Sequence, residues 1–170
     1  QGDVLWSKRI GGVADDFLSR IKSTADGGYI AIGGTKSFGN AAGEVMIVKL
    51  DNAGTVSWSR HYSNSVNRTV PKEIIQLDNG DFVFTANEND STVLSDAVVC
   101  RLDPAGNIIW AKRFDNGKDD GFNYVMEDGN TLYLTGYATV INRDAILMQL
   151  DKSNGSILDI KKYVHRINFE

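Results

Sequence analysis

Two hydrophobic patterns recur along this chain at a fixed interval. The first alternates: from Tyr29 to Thr35, Ile30, Ile32 and Gly34 lie on one side of the alternation and Tyr29, Ala31 and Gly33 on the other. Its matching positions are Phe82, Phe84 and Ala86, then Leu132, Leu134 and Gly136. Period-two alternation with β-branched and aromatic residues predicts strands. The second pattern is apolar at every position: Val45 to Val48, Ala97 to Cys100 and Ala145 to Met148. Runs of that kind are predicted to be strands covered on both faces.

A third run alternates as Val4, Trp6, Lys8, Ile10, and returns as Val56, Trp58, Arg60, Tyr62 and as Ile108, Trp110, Lys112, Phe114. Ile157, Asp159, Lys161 and Tyr163 continue it with Asp in the Trp position. Trp6, Trp58 and Trp110 are evenly spaced and are all the tryptophans of the chain. Such a period is the signature of a repeat architecture. The repeats run 2–53, 54–105 and 106–154, with a partial fourth over 155–170, and the whole chain, 1–170, reads as a single repeat domain. In the first repeat the strand-like runs are Val4 to Ile10, Phe17 to Thr24, Tyr29 to Thr35 and Val45 to Leu50. The segment Val70-Pro71-Lys72-Glu73-Ile74 takes a strand position in the second.

Turn chemistry separates the runs. Asp26-Gly27-Gly28, Asp78-Asn79-Gly80 and Asp128-Gly129-Asn130 precede the alternating strands, and Asp51, Asp103 and Asp151 are each followed closely by Gly54, Gly106 and Gly155. Gly and Asn accept the positive φ of tight turns, and Asp accepts hydrogen bonds from the backbone that follows it.

Composition then narrows the function. The hydrophobic fraction of 42% and charged fraction of 24% are those of a folded domain with a core. A net charge of -4 argues against a nucleic-acid binder. No apolar run is long enough to span a membrane as a helix. The chain opens at Gln1, not Met, which reads as a processed or excised product. Its one cysteine, Cys100, lies in an apolar run, rules out an internal disulfide and reads as a buried small hydrophobe.

Candidate chemistry is sparse. Asp15-Asp16 and Asp119-Asp120 occupy matching loop positions, with Asn67-Arg68 between them in the repeat. They are weak candidates for a cation such as calcium, against a plain role in capping strand ends. Lys8-Arg9, Arg60-His61, Lys112-Arg113 and Lys161-Lys162 form a recurring basic stripe. It suits either an anionic surface or the protection of strand edges against aggregation. His61 and His165 lack ligands at metal spacing, Gly11-Gly12 and Gly33-Gly34 open no helix, and no Ser or Cys stands in a nucleophile elbow. Asn67-Arg68-Thr69, Asn89-Asp90-Ser91 and Asn154-Gly155-Ser156 match the N-glycosylation pattern and are assigned no role. The residues imply no catalytic group, no cofactor and no enzyme.

The runs Trp6-Ser7-Lys8-Arg9-Ile10-Gly11-Gly12, Asp26 to Thr35 and Val48-Lys49-Leu50-Asp51 resemble the repeats of secreted bacterial and archaeal β-propellers. Leu50-Asp51 to Trp58, and Leu102-Asp103 to Trp110, are similar to the tryptophan-docking motif of quinoprotein-type propeller blades. The resemblance covers essentially the whole chain. It implies an all-β fold of four-stranded antiparallel blades, about 17–62, 69–114 and 122–163, plus one extra outer strand at 4–10. Trp6, Trp58 and Trp110 would dock each blade on the next. The calcium-dependent quinone dehydrogenases of that family place a vicinal cysteine pair against the cofactor, which a single cysteine cannot supply.

Closed propellers have about four to eight blades. Three blades therefore imply that the chain is part of a longer propeller, or that copies close a ring together, for example two chains making six blades. A β-trefoil, also three repeats of four strands, is the alternative fold. The expected function is a non-enzymatic scaffold of a secreted or cell-surface prokaryotic protein that binds other protein chains through its open blade faces. A carbohydrate-binding module with a glycan partner, or a piece of a larger secreted hydrolase, are the competing expectations.

Overall fold

A computed structural model describes residues 2–39, 41–63, 67–89 and 94–163. His165, the end of the partial fourth repeat and two residues of Asn89-Asp90-Ser91 lie outside the described residues. The first sheet comprises β1 (Asp16–Ser23), β2 (Tyr29–Thr35), β3 (Glu44–Leu50) and β4 (Val56–Tyr62). β5 (Arg68–Gln76), β6 (Phe82–Asn89), β7 (Ser95–Leu102) and β8 (Ile108–Phe114) make the second. β9 (Asp120–Asp128), β10 (Thr131–Thr139), β11 (Arg143–Asp151) and β12 (Ile157–Tyr163) make the third. Each is a four-stranded antiparallel meander in chain order, and the described residues contain no helix.

Local chemistry explains the meanders. Gly27, Gly80 and Gly129 have φ of 80°, 91° and 59° in the turns before the second strand of each sheet. Asp51 Oδ1 accepts the amides of Ala53 and Thr55, and Asp103 Oδ1 those of Ala105 and Asn107, which closes the turns before β4 and β8. Pro71 sits at a bulge of β5, between its pairings with Ala86 and that of Glu73 with Thr85, where a residue without an N–H is tolerated.

Three expectations are corrected. No ladder joins one sheet to another among the described residues, so the shared barrel of a β-trefoil does not form. Residues 4–10 form no strand. Their alternation is that of an outer strand, but a strand is defined by its hydrogen-bonded neighbour, and among the described residues no strand pairs with this segment. The register of β2 also differs. Tyr29, Phe82 and Leu132 pair with Leu50, Leu102 and Leu150, so the residues equivalent to Phe82, Phe84 and Ala86 are Tyr29, Ala31 and Gly33. A one-residue shift moves every side chain to the opposite face. Ile30, Ile32 and Gly34 therefore face the second sheet instead of away from it.

The sheets stack face to face. Ile30, Ile32, Val45 and Ile47 of the first sheet pack with Phe82, Phe84, Cys100 and Leu102 of the second. Val83, Ala97 and Val99 on the other face of the second sheet pack with Leu132, Leu134, Ile146, Met148 and Leu150 of the third. The middle sheet is thus covered on both faces, and the all-apolar runs are buried in β3 and, apart from the half-buried Val98, in β7. The run in β11 departs from the expected burial: Ile146 and Met148 are buried, while Ala145 and Leu147 lie on the open outer face of the third sheet.

Candidate functional site

The tryptophans mark the seams between sheets. The indole N–H of Trp58, on β4, donates to Pro104 O at 3.1 Å, and that of Trp110, on β8, to Lys152 O at 3.1 Å. Each acceptor lies in the last turn of the following sheet. The rings cover the turn glycines: a Cβ on Gly106 would lie 3.2 Å from Trp58, and one on Gly155 2.9 Å from Trp110. Trp58 also meets Phe82 edge-on, with ring centroids 6.1 Å apart.

Trp6 repeats this arrangement from a segment that is not a strand. A Cβ on Gly54 would lie 2.8 Å from its ring, and its ring centroid is 6.2 Å from that of Tyr29, the register equivalent of Phe82. Ile10 packs with Met46, Val48 and Leu50. Residues 2–12 therefore lie on the first sheet much as β4 lies on the second, with their backbone outside any ladder.

Sequence reading missed a second set of seam contacts. Gln76 Oε1 accepts the amide of Ala25, and Glu127 Oε2 that of Asp78, both at 2.8 Å. Gln76 and Glu127 are equivalent, since they pair with Phe82 and Leu132. Arg101 adds a bond to Lys152 O at 2.6 Å while its guanidinium is held by Asp81. Nothing in the local pattern singles these residues out; their shared role emerges from the register.

The acidic pairs do separate work at the starts of β1 and β9. Asp16 accepts hydrogen bonds from Gly12 N at 2.8 Å, from Ser37 Oγ at 2.6 Å and from the Thr35 hydroxyl. Asp15 faces Lys36 at 3.4 Å. Asp120 accepts the amides of Asn116 and Thr139, and Asp119 pairs with Arg143. The described residues hold no cluster of three or more His, Cys, Asp or Glu suited to a metal ion. The basic stripe is likewise interrupted: His61 Nδ1 lies 2.6 Å from Glu44, and Arg113 pairs with Asp96 and, at 3.5 Å, with Glu88.

The donors around Asp16, led by the Ser37 and Thr35 hydroxyls, hold its carboxyl down to about 2. A depressed carboxylate contributes stability that is complete above the ordinary carboxylate range and is lost as pH falls through the folded value. Burial pushes the Asp120 carboxyl the opposite way, so acidification relieves that site. The expected result is that the melting temperature of the wild type falls more steeply between about pH 4 and pH 2 than that of Asp16→Asn. Parallel melting curves over that window would remove Asp16 from the acid response.

Matching clefts open along the two seams. One of about 330 Å³ is lined by Tyr62, Thr69, Phe84, Val98, Cys100 and Arg113, the other of about 310 Å³ by Phe114, Asp120, Tyr137, Ile146, Met148 and Lys162. Burial pushes the Cys100 thiol up to about 12, which keeps it protonated and unreactive.

No family model matches the chain, and no curated protein matches it. Among solved structures it is similar to the tail fiber of Staphylococcus aureus phage P68, at 10% identity and a TM-score of 0.31, over 90% of this chain and 40% of that one. No helix among the described residues is long and apolar enough to cross a membrane.

Proposed function

We propose that this chain is a non-enzymatic β-propeller-type scaffold of a secreted or cell-surface protein, and that it assembles with other protein chains through the outer face of its first sheet. The observation that carries the reading is the segment 2–12. It holds Trp6 and Ile10 on the first sheet as β4 holds Trp58 on the second, yet its backbone lies in no ladder. It covers only the outer half of that face. On the inner half Leu18 and Ile21, which share a face with Ala31 through the β1–β2 register, are 43% and 56% exposed. A second copy seated on this face would bury Leu18 and Ile21 and meet the unpaired backbone of residues 4–10. Exposed apolar surface beside unpaired backbone is what strand addition uses.

The test is the solution mass by light scattering across a tenfold dilution series. Copies are expected to associate into species larger than the 18.7 kDa chain, and the double substitution Leu18→Glu, Ile21→Glu is expected to return them to monomer. A monomer at every concentration of the wild type overturns the reading.

A further inference from the structure

The outer face of the third sheet differs in chemistry from the same face of the other two. Those faces are covered and mainly aliphatic: Ile30, Ile32 and Ile47 in the first sheet, with Lys49 beside them, and Val83 and Val99 in the second, with Thr85 and Arg101. In the third sheet the β10 and β11 positions on this face are Tyr133, Thr135, Leu147 and Gln149, and β9 adds Tyr124 and Met126. Tyr124 and Met126 are 57% and 58% exposed. The Trp series that pins each seam also stops here, because Asp159 pairs with Gln149 where Trp110 pairs with Arg101.

We infer that this face is a binding platform for a neutral polysaccharide chain. Tyr124, Met126, Asp128, Tyr133, Thr135 and Leu147 line a shallow concavity of about 530 Å³. Tyr133 lies diagonally across from Tyr124, which pairs with Thr135, so the two rings are about 7–8 Å apart at their roots. A sugar ring has an apolar C–H face, which stacks on an aromatic ring, and a rim of hydroxyls, which Asp128, Thr135 and Gln149 can bind. Charge sets the class of polymer. Lys161 lies 3.7 Å from Asp159, and Arg143 pairs with Asp119, so the cations that the third sheet itself brings to this face are matched and Asp128 remains at the rim, while Arg20 and Lys72 border the far side of Tyr124 in an adjoining cleft. The third sheet's own charges thus favour a neutral polymer over an anionic one. The inference is independent of the assembly reading, which concerns the opposite end of the stack.

The test uses the full chain in native gels cast with xyloglucan, galactomannan, laminarin or dextran, together with a glycan array. Retardation by at least one polymer, or a matching array signal, is expected. Tyr124→Ala and Tyr133→Ala should each weaken the interaction about tenfold, and Tyr124→Phe, which keeps the ring, less than threefold. Tyr124 is exposed enough for its alanine variant to fold, and an unchanged melting temperature verifies this; that variant alone decides the matter if Tyr133→Ala is unfolded. Absence of any polysaccharide binding, or binding unaltered in a folded Tyr124→Ala, overturns the inference. Loss of self-association in Tyr124→Ala without any polysaccharide effect also overturns it, since the face would then be a contact between protein chains.

Discussion

Trp58→Ala is expected to lower the unfolding free energy by about 3 kcal/mol, the lower end for removing a large aromatic side chain, because the ring is only partly buried. Three losses combine. The edge-on contact with Phe82 goes, the hydrogen bond to Pro104 O goes, and the concave face over Gly106 is left open to water. Trp58→Phe separates them: it keeps a ring beside Phe82 and loses chiefly the N–H bond, a change of about 1 kcal/mol. Trp6→Ala should also cost only about 1 kcal/mol, since Trp6 is 43% exposed and its segment lies in no ladder. Urea midpoints with constant slope measure all three. A midpoint for Trp58→Ala equal to that of the wild type would show that the seam does not depend on this ring.

The second large effect is expected at Gly136. A Cβ there would stand 1.9 Å from Gly121 O and 2.9 Å from Phe122 Cα, both backbone atoms that cannot rotate away. The crowding arises where β9 bulges between its pairings with Thr135 and Gly136. Gly33 faces the matching bulge of β1, where a Cβ would stand 1.7 Å from Phe17 O. Gly136→Ala must push β9 off β10 and is expected to cost about 3 kcal/mol, at the upper end for overpacking. Gly129→Ala is the control. Gly129 has φ of 59° and open space around it, so alanine there suffers backbone strain alone, about 1 kcal/mol. Equal urea midpoints for the two variants would mean that crowding at the bulge is not what fixes glycine in β10.

Much of the architecture could be read from the chain because each strand carries its own alternation. The runs expected at Tyr29 to Thr35 and Val45 to Leu50 coincide with β2 and with β3 to within a residue. Register was less legible. Aligning Asp26-Gly27 with Asp78-Asn79 pairs Ile30 with Phe82, but the residue that organises the second turn is Asn79, whose side chain accepts the Asp81 amide as Asp26 accepts that of Gly28. One extra residue between the repeats is invisible in a pattern of period two until hydrogen-bond partners are known. The segment 4–10 has the residues of a strand, and no local signal reports whether a neighbour is present.

The seams were half legible. Even spacing drew attention to the three tryptophans, but Gly54, Gly106 and Gly155 read only as turn residues, because what covers a turn is supplied by a different repeat. The tyrosine platform was not legible at all. Tyr133 and Val83 satisfy a strand pattern equally well, and their difference acquires meaning only when one face is seen to be covered and the other open. The two acidic pairs show the converse. Asp16 and Asp120 match in sequence position, yet hydroxyl donors lower the pKa of one and burial raises that of the other.

Because Trp6, Trp58 and Trp110 are the chain's three tryptophans and each rests on a different turn glycine, the molecule carries one indole at each of its two sheet–sheet seams and one where the segment 2–12 meets the first sheet. Emission from a chain retaining a single indole reports the wetting of one boundary at a time, so separation of the layers can be followed optically without attaching a dye.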